Sequence, residues 1–551
     1  MSSSPLTERP AHLTLVLETV RDHRVGTIAW VAGGGVAMFA MALGLASEMA
    51  RFPGGSQALA ESIRPSAEAM KLMRWPAERL DTLGGYLTFH NITLLTLFLC
   101  IYGAVQGARA IRGGEDRHSL EEVLATGWSR AAVVRDRVLG FLVTAALISL
   151  GLGVAVGASM AAGGEPDLGG SLITMAAAGL VAVVGYALGL LVSQLTATSR
   201  AAAGLATLVV TALYVGTNIA DDIGAAGLVR YLSPFHYANA SRALVPGYGF
   251  DLPASLALVV MAALLVGLAT WAFLRRDYGA PLWRRRARAE RMGRAPRVQR
   301  PALRHVWSAT LLRGRTGLLV WSLSGGALTC VMAALEPSFM EAWEDFGFVR
   351  GLAGGEESLL AQFNTFASEL VTPVVAAYVV TQAAGWANDL GQGRVEMMLA
   401  TPLSWTRLVW ERILAVVVGG AVITLVMVGG LLVGTAAVGN ELDAAGLARL
   451  TLDSILLTGA VAGVAALVMA LVPTAAAVTA LAVVVGASYL LVLLVPMLGW
   501  PDWINRLSVF GAFAHPYLEW PPAAGLLMLG SSMVLGGLAA SLVAERSPKV
   551  A

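Results

Sequence analysis

Apolar runs of about 20 residues, the length an α-helix needs to cross a hydrocarbon core, follow one another through nearly the whole of this 551-residue chain. A backbone in hydrocarbon has no water to bond, so each run must close its hydrogen bonds internally as a helix. Composition points the same way: 56% of the residues are hydrophobic and only 13% charged, far from the balance of a soluble domain. The expected class is an all-α integral membrane protein. A net charge of +2 gives no case for nucleic acid as a partner, so the lipid bilayer is the first one implied. Cys100 and Cys330 each fall in an apolar run, where a thiol behaves as a small hydrophobe and no disulfide framework is implied.

Twelve spans are expected. Six lie near residues 26–46, 86–108, 138–160, 170–195, 201–220 and 252–274, and six near 316–335, 366–387, 408–438, 447–472, 475–498 and 522–544. Residues 1–25 mix apolar and charged positions, ending in Arg21, Asp22, His23 and Arg24, and suit a helix lying in the interface rather than a cleaved signal peptide. The loop holding Glu165 and Asp167 carries no basic residue and is placed outside, while 221–251 reads as short re-entrant or surface helices on that side. Between Arg275 and Arg315 stand thirteen Arg against the two acids Asp277 and Glu290, which fixes the 275–315 linker in the cytoplasm and draws it to anionic headgroups. Both termini then lie inside a multi-pass protein of the plasma membrane.

The chain also repeats itself, in most of the matching positions at a register of half its length. Glu121, Leu124, Ala125, Thr126 and Ser129 recur as Glu396, Leu399, Ala400, Thr401 and Ser404, each set in a short polar stretch between two apolar runs. Arg24, Trp30, Gly34 and Gly35 find a similar pattern in Arg315, Trp321, Gly325 and Gly326, while Leu232, Ser233, Phe235 and Tyr214 match Leu507, Ser508, Phe510 and Tyr489. The domains expected are a six-helix repeat over 26–274 and another over 316–551. They would be parallel repeats, related by an axis along the membrane normal, with a pathway between them.

Two repeats of six spans, each with a Glu-x-x-Leu-Ala-Thr...Ser helix between its second and third spans and a Leu-Ser-x-Phe element before its sixth, resemble the ABC-2 type permeases, in particular the fused exporter permeases for polyketide antibiotics and other drugs. The resemblance implies that the stretches 115–129 and 391–404 are coupling helices that dock into a cytoplasmic ATPase. Arg117, Glu121, Leu124, Thr126 and Ser129, with Arg394, Glu396, Leu399, Thr401 and Ser404, become the docking residues. The copies differ where Gly127-Trp128 faces Pro402-Leu403 and where Glu122 is replaced by Met397. A phosphate-cradling loop needs a Lys after glycine, yet the only lysines, Lys71 and Lys549, follow Met70 and Pro548. No cofactor is expected in this chain, which is expected not to be an enzyme; ATP and Mg would be bound by two copies of a soluble ABC ATPase subunit.

Polar and aromatic residues cluster near the outer ends of the second and eighth spans, in Phe89, His90 and Asn91 and in Phe363, Asn364 and Phe366. The fifth and eleventh spans add Tyr214, Asn218 and Tyr489. In the resembling family these spans line the central cavity, which implies a surface for a lipophilic small-molecule substrate, although an interfacial aromatic belt has the same signature. Asp453 lies within a span, where a proton relay is one reading and an ion pair with Arg449, one turn away, is the preferred one. The spacings Gly153 with Gly157 and Gly185 with Gly189 allow close helix approach. Two other classes stay open: a proton-coupled twelve-span secondary transporter and a membrane sensor that holds an ATPase without transporting. An Asp-Arg here runs into Glu121 and Glu122 rather than into a basic run, which counts against the first.

Overall fold

The computed structural model describes residues 11–52, 54–69, 75–218, 230–282, 305–337, 340, 356–472, 474–497, 501–511 and 523–546. Among these every assigned element is helical. The chain divides into two compact units, Met1–Gly293 and Arg294–Ala551, with the boundary inside the Arg-rich linker.

The first unit begins with α1 (Ala11–Ala29), a π-helical turn at Trp30–Gly34, α2 (Gly35–Arg51) and α3 (Gly55–Ala69). It continues with α4 (Leu83–Leu87), a second π-turn at Thr88–Ile92, α5 (Thr93–Ala110) and the short α6 (Arg112–Asp116) and α7 (Ser119–Ala125). The long α8 (Arg130–Ala162), α9 (Leu168–Leu195) and α10 (Ser199–Asn218), then α11 (Pro234–Ala238) and α12 (Leu252–Arg275), complete it. The second unit holds α13 (Val306–Arg313), α14 (Arg315–Ala334), α15 (Glu356–Glu369), α16 (Val371–Gly391), the short α17 (Arg394–Leu399), α18 (Trp405–Ala437), α19 (Ala444–Leu471), α20 (Thr474–Met497), a 3-10 turn at Asp502–Leu507 and α21 (Ala523–Arg546).

Among the described residues, eleven helical segments are long and apolar enough to cross a membrane, and a shorter apolar stretch, Ala476–Val492, lies in α20. The first segment runs from Thr14 to Ser47, so the helix expected to lie in the interface continues without a break into the first span. No capping residue stops it: Thr27 donates to the His23 carbonyl at 3.1 Å, and His23 contacts the Thr19 carbonyl at 2.7 Å. Elsewhere the starts are capped as expected, because the first N–H groups of a helix lack partners of their own. Asp167 accepts from Gly170 N at 2.8 Å, Asp251 from Ala254 N at 2.8 Å and Asp443 from Gly446 N at 2.8 Å.

Apolar side chains face outward as well as inward. Along α12, Leu256, Val260, Leu264 and Leu268 form an exposed stripe at four-residue spacing, 53–63% accessible. In water such a stripe would drive association; against acyl chains it needs no protein partner.

Inside the first unit the tightest seam joins α5 to α9. It is built of small residues from both sides: a Cβ on Gly103 would collide with the Ala182 carbonyl, one on Gly107 with that of Tyr186, one on Gly185 with that of Cys100 and one on Gly189 with that of Ala104. The Gly185 and Gly189 pair thus serves the packing its spacing suggests, and Gly153 and Gly157 similarly meet Leu172 and Leu168 of α9. Gly107→Leu should push the two helices apart, with an overpacking cost of about 1–3 kcal/mol or more. The check is the thermal unfolding midpoint of the detergent-purified variant, which should fall, whereas Gly204→Leu, at a position with open space, should leave it unchanged.

Candidate functional site

Helix α5 ends at Ala110, and after Ile111 the chain makes the single turn α6 before the short helix α7. That break is held by buried charge. Arg112 donates to Glu115 at 2.7 Å, and Arg276, just past the end of α12, donates to the other Glu115 oxygen at 2.6 Å. The side chains of Arg112, Glu115 and Arg276 are 1%, 2% and 0% exposed. Their remaining donors are also used: Arg112 Nε bonds the Ser193 carbonyl at 3.1 Å, and Arg276 Nε bonds Gln194 Oε1 at 2.7 Å. Both guanidiniums also reach the Ala280 carbonyl. Burial, and after it the neighbouring Arg276 charge, pulls Arg112 below its ordinary value while Glu115 works against both. An arginine so placed stays cationic, and its planar fork suits the carboxylate. The triad therefore pins the root of α7 to the ends of α9 and α12.

Helix α7 and its counterpart α17 start alike. His118 has φ 62° and Gly393 φ 66°, left-handed turns at matching positions of the repeat. Glycine takes this conformation freely, and a side chain such as His118 does so at some cost. One residue of each helix is sunk into its unit, Leu120 at 5% exposure and Val395 at 0%. Sequence reading missed these anchors, which also occupy matching positions. Leu124 and Leu399 are half-buried, while Arg117, Glu121, Thr126, Ser129, Arg394, Glu396, Thr401 and Ser404 are exposed. Several of them have local work: Ser129 caps α8 and Ser404 caps α18, each at 3.2 Å, and Thr126 and Thr401 donate to the carbonyls of Val123 and Met398. The outward face left by these contacts is Glu121, Glu122, Ala125 and Gly127 on one helix and Glu396, Met397, Ala400 and Pro402 on the other. Beside α7, an open groove of about 370 Å³ is lined by Thr14, Leu15, Glu122, Val123, Thr126 and Trp128.

The acidic-basic pairs downstream tie the long helices to the first helix of each unit. Arg137 reaches Thr19 at 3.3 Å and Asp22 at 3.6 Å on α1, and Glu411 accepts from the backbone N–H groups of Val306 and Trp307 at the start of α13. The support of α17 is looser than that of α7: Asp389, 29% exposed, receives Arg412 at 3.1 Å and Arg394 at 3.3 Å.

In the first unit the residues expected to meet substrate fall into two separate clusters. Phe89, His90 and Asn91 lie in the π-turn Thr88–Ile92. Phe89 is buried with Ala60 and Leu80, and His90 stacks on Tyr86 at 4.1 Å. Tyr214 is instead buried edge-on to Phe235 at 5.0 Å, in a different cluster. Tyr489 meets Phe510 in the same way at 5.4 Å. The co-repeating tyrosines and phenylalanines are thus each other's contacts. Asn218 closes α10, Phe363 and Asn364 are buried, and Phe366 is 41% exposed. Among the described residues no three His, Cys, Asp or Glu come together as a metal site would require.

The expected Asp453–Arg449 pair does not form. Side chains on a helix lean toward its N-terminus, and Arg449 follows that lean to bond Asp443 at 3.3 Å, near the helix end.

Truncating Glu115 would leave two buried guanidiniums facing each other. Glu115→Ala is expected to lower unfolding stability by about 3–5 kcal/mol, the range for a buried pair that loses one partner. Adding Arg276→Met should recover part of the loss in the same thermal unfolding assay; equal midpoints for wild type and Glu115→Ala would contradict the assignment.

The ABC-2 family transporter protein model matches residues 20–278. A second model, the C-terminal domain of the multidrug efflux system permease Rv1217c, matches residues 303–542. No individual curated protein matches the chain. Together the two models cover both helical units, including both short helices. The chain belongs to the ABC-2 family of transporter permeases.

Proposed function

We propose that this chain is the membrane subunit of an exporter of lipophilic drugs or antibiotics, worked by two copies of a separate soluble ABC ATPase that bind ATP and Mg. The observation that carries the reading is the pair α7 and α17: two short helices at matching places in the repeat, each entered through a left-handed turn, anchored by one buried apolar residue and left with an exposed carboxylate. A helix that serves only its own fold has little use for such a face. The open groove beside α7, which Glu122 lines, would receive an apolar knob of the ATPase, with Glu122 and the exposed Glu121 as charge-assisted contacts. The matching helix lengths of α8 and α18, 33 residues each, and of α9 and α19, 28 each, support a repeated six-helix plan. In this reading α7, α17 and both termini lie on the cytoplasmic side of the plasma membrane.

The drug class rests on the multidrug efflux permease whose C-terminal domain the second unit resembles. His90, Asn91 and Phe366, which retain exposure, are the side chains of the expected substrate surface best able to meet a ligand.

Nucleotide and drug must each prefer one state of such a machine, since a ligand shifts an equilibrium only by its differential affinity. Reversing both carboxylates, Glu121→Arg with Glu396→Arg, should remove contacts worth about 2–5 kcal/mol and cut drug-stimulated ATPase activity of the purified complex by an order of magnitude or more. Unchanged activity would contradict the docking role.

A further inference from the structure

In the second unit, α19 carries a carboxyl with nothing to bond. Asp453 is fully buried, and neither of its oxygens makes a hydrogen bond among the described residues. Two hydroxyls, Ser454 beside it and Thr424 on α18, share that condition, each 0% exposed and without a partner among the described residues. This is unusual for their setting, because a buried helical hydroxyl ordinarily donates to the carbonyl one turn back. Thr451 and Thr458 on the same helix do so at 2.7 Å.

Packing brings the two hydroxyls near each other. A Cβ on Gly420 would meet the Thr458 side chain, which sets α18 against α19. The two helices follow one another through a short turn and run antiparallel, so one turn from that contact Thr424 comes opposite Ser454. The first unit shows the same pairing: Ser149, the counterpart of Thr424 in the repeat, lies against Gly179, the counterpart of Ser454. There the position matching Asp453 is the buried Ala178, so the carboxyl is special to the second unit.

Charge offers this carboxyl little help. The nearest cation, Arg449, acts on it electrostatically but is bonded to Asp443. On the helices packed against α19, Arg407, Glu411 and Arg412 of α18, Asp389 of α16 and Glu545 and Arg546 of α21 gather at the far end, where Arg412 meets Asp389 and Thr406 meets Glu545. Tyr378 of α16 lies against Gly419, and Tyr489 of α20 against Phe510. A bare carboxylate without donors is far costlier to bury than a neutral acid.

We propose that Asp453 is a buried proton-binding site: the carboxyl holds a proton while α18 and α19 are closed on each other and releases it to water when that seam opens. The released proton leaves a carboxylate that water then solvates, so the seam's opening is linked to pH. This inference is independent of the drug and of the ATPase.

Infrared spectroscopy of the purified chain in lipid nanodiscs tests it. Wild type at neutral pH should show a protonated-carboxyl C=O band that is missing in Asp453→Asn, an isostere of the neutral acid. The band should persist unshifted in Thr424→Val with Ser454→Ala, because neither hydroxyl bonds the carboxyl. The absence of the band in wild type, its survival in Asp453→Asn, or its loss in the double variant would overturn the site; the first and last comparisons hold even if the Asp453 variant does not fold.

Discussion

The buried contact of Glu115 with Arg112 and Arg276 is the constraint on which the first unit's cytoplasm-facing end, in the proposed orientation, depends. Two cations and one anion withdrawn from water are costly unless they are well hydrogen-bonded, and here backbone carbonyls and Gln194 bond the guanidinium nitrogens that do not meet Glu115. The outcome is geometric more than energetic. A short helix such as α7 has too few turns to be stable alone, so its direction must come from what it is attached to. Through the triad it is attached to α9 and α12 at once, and α9 is locked to α5 by the reciprocal glycine seam. A push on α7 would therefore be felt along three spans.

The second unit solves the same problem differently. Helix α17 is rooted on Asp389 with Arg394 and Arg412, a pair of bonds at a partly exposed carboxylate. Exposed ion pairs are weak because water competes for both partners. The two short helices thus share their entry turn and buried anchor but not the tightness of their support. The differences between Gly127-Trp128 and Pro402-Leu403, visible as letters, sit on supports that differ as well.

Much of this was legible from residue patterns. Span positions follow from the need to bury backbone polar groups in hydrocarbon, and the half-chain repeat marked α7, α17 and the residues Tyr214, Phe235, Tyr489 and Phe510, though not that each tyrosine touches its own phenylalanine. What escaped is long-range. Arg276 reads as an ordinary basic helix end, and only folding brings it to a carboxylate 161 residues away. Asp453 was expected to take the cation one turn off, a rule of spacing that ignores the lean of helical side chains and the pull of Asp443 at the helix end. The continuous first helix was missed because charge at Arg21 to Arg24 looked like a boundary, whereas nothing in the backbone chemistry there ends a helix.

The central claim, that α7 and α17 are the handles of a separate motor, is tested most directly by hydrogen–deuterium exchange on the permease alone and bound to its ATPase. The account predicts slowed exchange in both 119–125 and 394–399 on complex formation. Protection confined to other segments, with these two unchanged, would contradict it.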